Sequence, residues 1–169
     1  SVAESDVLFL NGLDFEGWLE RLAEAASFDG AMVVATNGVV PISFDDHDDH
    51  DGEKHDDHDD HDDHDDHDDH DDEKHDDHAG HDHGAFDPHA WQSLENAVIY
   101  ANNIAAGLAQ ADPENAGDYY ANRAAFVAEV ETLSADIEAM MKSLPADKRT
   151  VVTPHDAFGY FAATYDLTF

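Results

Sequence analysis

The stretch VLFLNGLDFEGWLERLAEAASFDGAMVVA, residues 7–35, decides the fold. Val7-Leu8-Phe9-Leu10 is a short apolar run closed by Asn11-Gly12, a turn signal, and reads as a buried strand. Trp18, Leu19, Leu22 and Ala26 follow at helical spacing, so a short helix should pack on that strand. Ala31-Met32-Val33-Val34-Ala35 reads as a second buried strand. Strand, helix and strand within about 30 residues make a βαβ unit, which predicts a parallel sheet and an α/β fold.

Further along, Phe86-Asp87-Pro88-His89-Ala90-Trp91 leads to Ser93, a good N-cap. Leu94, Val98, Ala101, Ile104, Ala105 and Leu108 form the apolar stripe of a helix ending near Asp112-Pro113. Pro113 suits the first turn of the next helix. There Tyr119, Phe126, Val130, Leu133, Ile137, Met140 and Leu144 mark one face over about 30 residues, a rod of about 45 Å. Pro145 stops it. Thr150-Val151-Val152-Thr153 then reads as a buried strand with Pro154-His155-Asp156 at its carboxyl end. A helix from Ala157 to Ala163 and a new strand at Leu167-Thr168-Phe169 should follow.

Between these ordered parts, residues 45–83 are built almost entirely of His and Asp. The tract holds 12 of the 14 histidines: His47, His50, His55, His58, His61, His64, His67, His70, His75, His78, His81 and His83. It has no apolar periodicity, and like-charge repulsion should keep it a disordered loop. In a polyproline II conformation the His-Asp-Asp triplet would space imidazoles roughly 9 Å apart along one edge. That is too far for one ion to bridge, so metal binding there should be multiple, weak and interchangeable.

The net charge is −34, of which the tract carries −20 and the remaining residues −14. Such a surface repels a phosphate backbone and an anionic membrane, so neither is an expected partner. Cations are the natural guests. The absence of cysteine excludes thiolate zinc sites and disulfides. No apolar run reaches the roughly 20 residues needed to span a bilayer. Ser1-Val2-Ala3-Glu4 has neither the basic nor the apolar region of a signal peptide.

His89 and His155 are the two histidines in ordered-looking sequence. Each sits at a turn before a helix, and His155 follows a strand, where ligands bind in open α/β sheets. Each could instead be an ordinary surface histidine. Two such positions flanking a long helix, in a chain with a cation-collecting tract, favour metal ligation. Asp87 and Asp156 beside them are candidates to orient the imidazoles, or simply to cap helix N-termini.

Asn11-Gly12-Leu13 with Phe15-Glu16-Gly17-Trp18-Leu19, the His-rich insert, Asp87-Pro88-His89-Ala90-Trp91 and Pro154-His155-Asp156-Ala157-Phe158-Gly159-Tyr160 occur in order. In these motifs the chain resembles the zinc-binding periplasmic components of bacterial ABC importers. The resemblance implies two α/β lobes joined by one long rigid helix, with a single transition metal between them. It divides the chain into part of a first lobe (1–112, with the loop 45–83), the linking helix (113–145) and the start of a second lobe (146–169).

Of the family's four ligand positions, His89 and His155 match the second and third. The first, a histidine, would precede Ser1 and the fourth would follow Phe169, so the chain is expected to be a fragment. Pro154 stands where Ser commonly precedes the histidine, which leaves the ligand in place. The resemblance further implies a Zn2+ cargo, an ABC permease as partner, a periplasmic location, a monomer and no enzymatic activity. The resemblance favours zinc because zinc-handling members often carry a His-rich insert that manganese- and iron-handling ones generally lack, and imidazole ligands favour zinc over manganese. The rival reading is a metal buffer or storage protein whose whole function is the tract. A zinc hydrolase is disfavoured by the lack of H-E-x-x-H or an obvious general base.

Overall fold

The computed structural model describes residues 1–43 and 85–169; the His/Asp-rich tract read as a loop lies outside the described residues. Strands β1 (Val7–Leu10) and β2 (Ala31–Val34) pair in parallel, with Val7 opposite Ala31 and Leu10 opposite Val34. Helix α1 (Leu19–Ala25) makes the crossover between them. The expected βαβ unit is thus present, and the chain is α/β. The strands are less buried than expected: β1 is half-buried throughout, and Ala31 and Met32 of β2 are exposed. Among the described residues the sheet has two strands, so part of its surface has no cover.

Helix α1 also presents a different face from the one its spacing suggested. Leu19 and Ala23 are buried, whereas Trp18 and Leu22 are exposed. Trp18 is the N-cap, outside the regular helix, so it does not continue the stripe.

Helix α2 (Leu94–Ala111) lies along the sheet and is capped by Ser93, whose hydroxyl accepts from the Asn96 amide at 3.4 Å. Gly107 makes that packing possible. A Cβ there would meet Val33 Cγ2 at 2.8 Å and the Phe9 ring at 3.0 Å. Asn103 of α2 donates to the carbonyls of Ala35 and Asn37, both at 2.8 Å, and so ties the helix to the end of β2.

A short 3-10 turn (Pro113–Asn115) leads into α3 (Ala116–Ser143), which packs along α2. Its 28 residues span about 42 Å at 1.5 Å per residue. The apolar stripe read from the sequence is largely open: Phe126, Leu133 and Met140 are exposed and Val130 is buried. Beyond it, the expected strand at Thr150–Thr153 reduces to one parallel bridge, Thr150 with Thr168, and Val152 is exposed. A strand persists only where a partner strand offers its hydrogen bonds; here the partner is the short segment at Leu167–Phe169. The last helix, α4 (Gly159–Tyr165), starts two residues later than expected. No described helix is long and apolar enough to cross a membrane.

Candidate metal centre

The site forms where the segment before α2 meets the segment before α4. Asp87 pairs backbone to backbone with Ile42, its N–H donating to the Ile42 carbonyl at 2.8 Å, beside an antiparallel bridge between Ser43 and Phe86. That pairing fixes the chain two residues ahead of His89. Asp87 is buried, and a single carboxylate oxygen, Oδ1, accepts both the His89 backbone N–H at 2.8 Å and its ring Nδ1 at 2.7 Å. A carboxylate acceptor at Nδ1 makes that nitrogen the protonated one, and leaves Nε2 with its lone pair free for a cation.

His89 Nε2 faces His155 Nε2 at 3.3 Å, with ring centroids 5.2 Å apart and planes at 82°. His155 is exposed, and the Thr153 hydroxyl donates to its carbonyl at 3.0 Å, which tightens the turn that presents the ring. Two imidazole nitrogens bound to one tetrahedral zinc at about 2.0–2.1 Å would stand about 3.3–3.4 Å apart. The donor pair therefore has the spacing of two corners of such a coordination sphere. Trp91 stacks edge-on against His89 at 5.3 Å, and Phe15 against Trp91 at 5.1 Å, giving the first imidazole an aromatic wall.

The two flanking acids differ. Asp87 grips His89, whereas Asp156 is exposed and, among the described residues, bonds to neither imidazole. It lines a hollow with Val151, Gly159 and Phe169 instead. Among the described residues no group of three or more His, Cys, Asp or Glu side chains converges on one point. The twelve tract histidines lie outside the described residues.

A polar network missed from the sequence supports the His89 turn. The Glu16 carboxylate accepts the backbone N–H of Asn11 at 2.7 Å and of Gly12 at 3.2 Å. The Asn11 amide then donates to the Pro88 carbonyl at 3.1 Å and accepts from the Tyr100 hydroxyl at 2.5 Å. Burial pushes the Tyr100 phenol well up, helped by Tyr160 and Glu16 nearby. Tyr160 contributes from the other side, donating to the Asp87 carbonyl at 2.9 Å and accepting from the Ile42 N–H at 3.1 Å. Burial raises its pKa too, against the lowering effect of the Ile42 bond, with the Asp87 charge adding to the rise. Both phenols therefore stay protonated donors. Glycine at 12 is required by its φ of +90° and by Thr36 Oγ1, which a Cβ would strike.

Comparison with known proteins gives the family of the chain. All of residues 1–169 match the family described as zinc-uptake complex component A, periplasmic. The manganese ABC transporter substrate-binding lipoprotein PsaA of Streptococcus pneumoniae is 40% identical over 84 residues, 50% of this chain and 27% of that protein. The iron-binding protein YfeA of Yersinia pestis is 27% identical over 161 residues, 95% of this chain and 41% of that protein. The crystal structure of ZnuA is 27% identical and superposes with a TM-score of 0.71, covering 99% of this chain and 50% of that one. The chain thus spans half or less of the length of each of these proteins.

Proposed function

The chain belongs to the zinc-uptake complex component A periplasmic family, and from that membership we propose that it is part of the extracytoplasmic metal-binding component of an ABC importer. Its cargo is Zn2+, delivered to a membrane permease without any bond chemistry. His89 and His155 supply two of the ligands, and Asp87 orients the first. Residues 1–112 belong to one lobe, 113–145 to the linking helix and 146–169 to the other lobe.

The observation that carries this reading is the 3.3 Å approach of two imidazole Nε2 atoms from segments 66 residues apart. One of them is already fixed in its metal-binding tautomer by a buried carboxylate. Relatives named for manganese and iron are also similar to this chain. Zinc is favoured here because neutral imidazoles suit it better than manganese, for which oxygen donors are the rule. Two donors are half of a four-coordinate set, and among the described residues no third His, Cys, Asp or Glu joins them. The tract at 45–83 adds weak sites that collect ions.

The test is metal titration of the intact protein by calorimetry. His89→Ala or His155→Ala should abolish tight zinc binding, while deletion of 45–83 should remove weak equivalents and spare the tight one. Tight binding lost only with the tract would favour the buffer reading and refute this one.

A further inference from the structure

We infer that Tyr160 is a latch, a positioning residue whose hydroxyl holds the His155 segment against the His89 segment and slows escape of the bound metal. The inference rests on His89 and His155 being donors to one ion.

Ile42 and Asp87 face each other as an antiparallel pair, yet only one of the pair's two bonds is direct, from the Asp87 N–H to the Ile42 carbonyl at 2.8 Å. The return bond is relayed. The Ile42 N–H donates to the Tyr160 hydroxyl at 3.1 Å, and that hydroxyl donates to the Asp87 carbonyl at 2.9 Å. The phenol thus takes the place a water or a strand bond would occupy, and a segment far along the chain is stitched into the pairing. Tyr160 is 4% exposed, so these bonds are shielded from competing solvent.

The position of the stitch gives it a consequence for the site. Asp87 lies two residues before His89, and Tyr160 five residues after His155. The two segments therefore touch at the imidazole pair and again at the hydroxyl. Separating the rings enough to free an ion requires either breaking both hydroxyl bonds or bending the short turn from His155 to Gly159. Asp87 links the two contacts: its carboxylate aims the His89 ring while its carbonyl receives the latch.

Loss of the hydroxyl strands a half-buried N–H and a buried carbonyl only in the closed arrangement. The bound state is therefore weakened more than the open one. Removing it should weaken the closed form by a factor of about ten, in line with the loss of one or two neutral hydrogen bonds.

The experiment measures zinc association and chelator-driven zinc dissociation by stopped flow, in the intact protein and its Tyr160→Phe variant, with His89→Ala as control. The expected result is dissociation about tenfold faster, association within about twofold, and a metal-free thermal transition that stays cooperative. A dissociation rate within twofold of the parent would overturn the latch. Hydrogen exchange in the unmutated protein gives a second measure: the Ile42 amide should be protected without metal and more so with zinc. An Ile42 amide exchanging at the free-peptide rate in the zinc-bound protein also overturns it. Tight binding retained in His89→Ala would instead sink the donor assignment, a failure distinguishable from that of the latch.

Discussion

Replacing Asp87 by Asn tests how far the site depends on the charge behind its first donor. The substitution keeps the shape and an acceptor oxygen, so the two bonds now made by Oδ1, at 2.7 Å to the ring and 2.8 Å to the backbone, can persist. It removes the negative charge. A hydrogen bond to a charged partner contributes about 1.5–3 kcal/mol, against about 0.5–1.5 kcal/mol between neutral groups. The difference, about 1–1.5 kcal/mol, falls mainly on the metal-bound state, because a bound cation draws density from the imidazole and makes its N–H a stronger donor. Zinc affinity should drop about tenfold, at the lower edge of the range typical for partners of metal-bound histidines. Asp87→Ala also leaves the ring free to change tautomer, and should approach a hundredfold loss. Competition against a chromophoric chelator reads both. Affinities within twofold of the parent for both variants would refute the claim that Asp87 prepares His89 for metal.

Two further outcomes follow from the packing and the phenols. Gly107→Ala gains up to about 1 kcal/mol of helix propensity, but its Cβ would press on Val33 and Phe9. Overpacking costs about 1–3 kcal/mol, so urea unfolding should show a net loss of about 1 kcal/mol, and a stabilised variant would contradict the close approach of α2 to the sheet. Tyr100 and Tyr160 both have pKa values raised by burial above the ordinary phenol value, which is about 10. Between that value and their raised ones the unfolded chain holds fewer protons than the folded one. Stability is then unaffected below about pH 10 and falls as pH rises through the folded values. An absorbance titration of the phenols, expected to show this late class, should lose one member of it in Tyr160→Phe.

Much of this was readable in the chain because the decisive signals are local. The runs at Val7–Leu10 and Ala31–Val34 are too short and too apolar for anything but strands, and a helix-length segment between them forces a parallel pairing. Ser93 is a cap by chemistry, and Pro113 marks the start of the long helix whatever packs on it. Rotation of a short helix is not local. Leu19 and Ala23 point inward in α1 because the turn at Asn11-Gly12 and the path from Gly17 set its entry, and periodicity over seven residues cannot fix that angle. The segment at Thr150 failed as a full strand for a related reason: its apolar side chains permit a strand, but only a neighbour makes one.

At the site the same division holds. His89 and His155 were visible as histidines at turns, and Asp87 as a neighbour able to orient one of them. Closer proximity in sequence did not give Asp156 an equal role: it is exposed and lines a hollow with Val151 and Phe169. Tyr160 could not be read from its surroundings, because its partners lie 73 and 118 residues away.

The energetic sense of the arrangement lies in when the ordering cost is met. A metal site assembled from mobile donors must restrict each side chain at the moment of binding, and affinity suffers accordingly. Here folding has already set the first imidazole's tautomer through Asp87 and its backbone through the Asn11 amide on Pro88. Folding has also set the distance to the second imidazole through the bonds around Tyr160. On the proposed ligand assignment, what binding still has to order is the exposed His155 ring. The donor held by more partners should thus anchor the ion, and the freer one should open first on release. That asymmetry makes a sharper demand than affinity alone: His155→Ala should speed dissociation more than it slows capture, whereas His89→Ala should impair both.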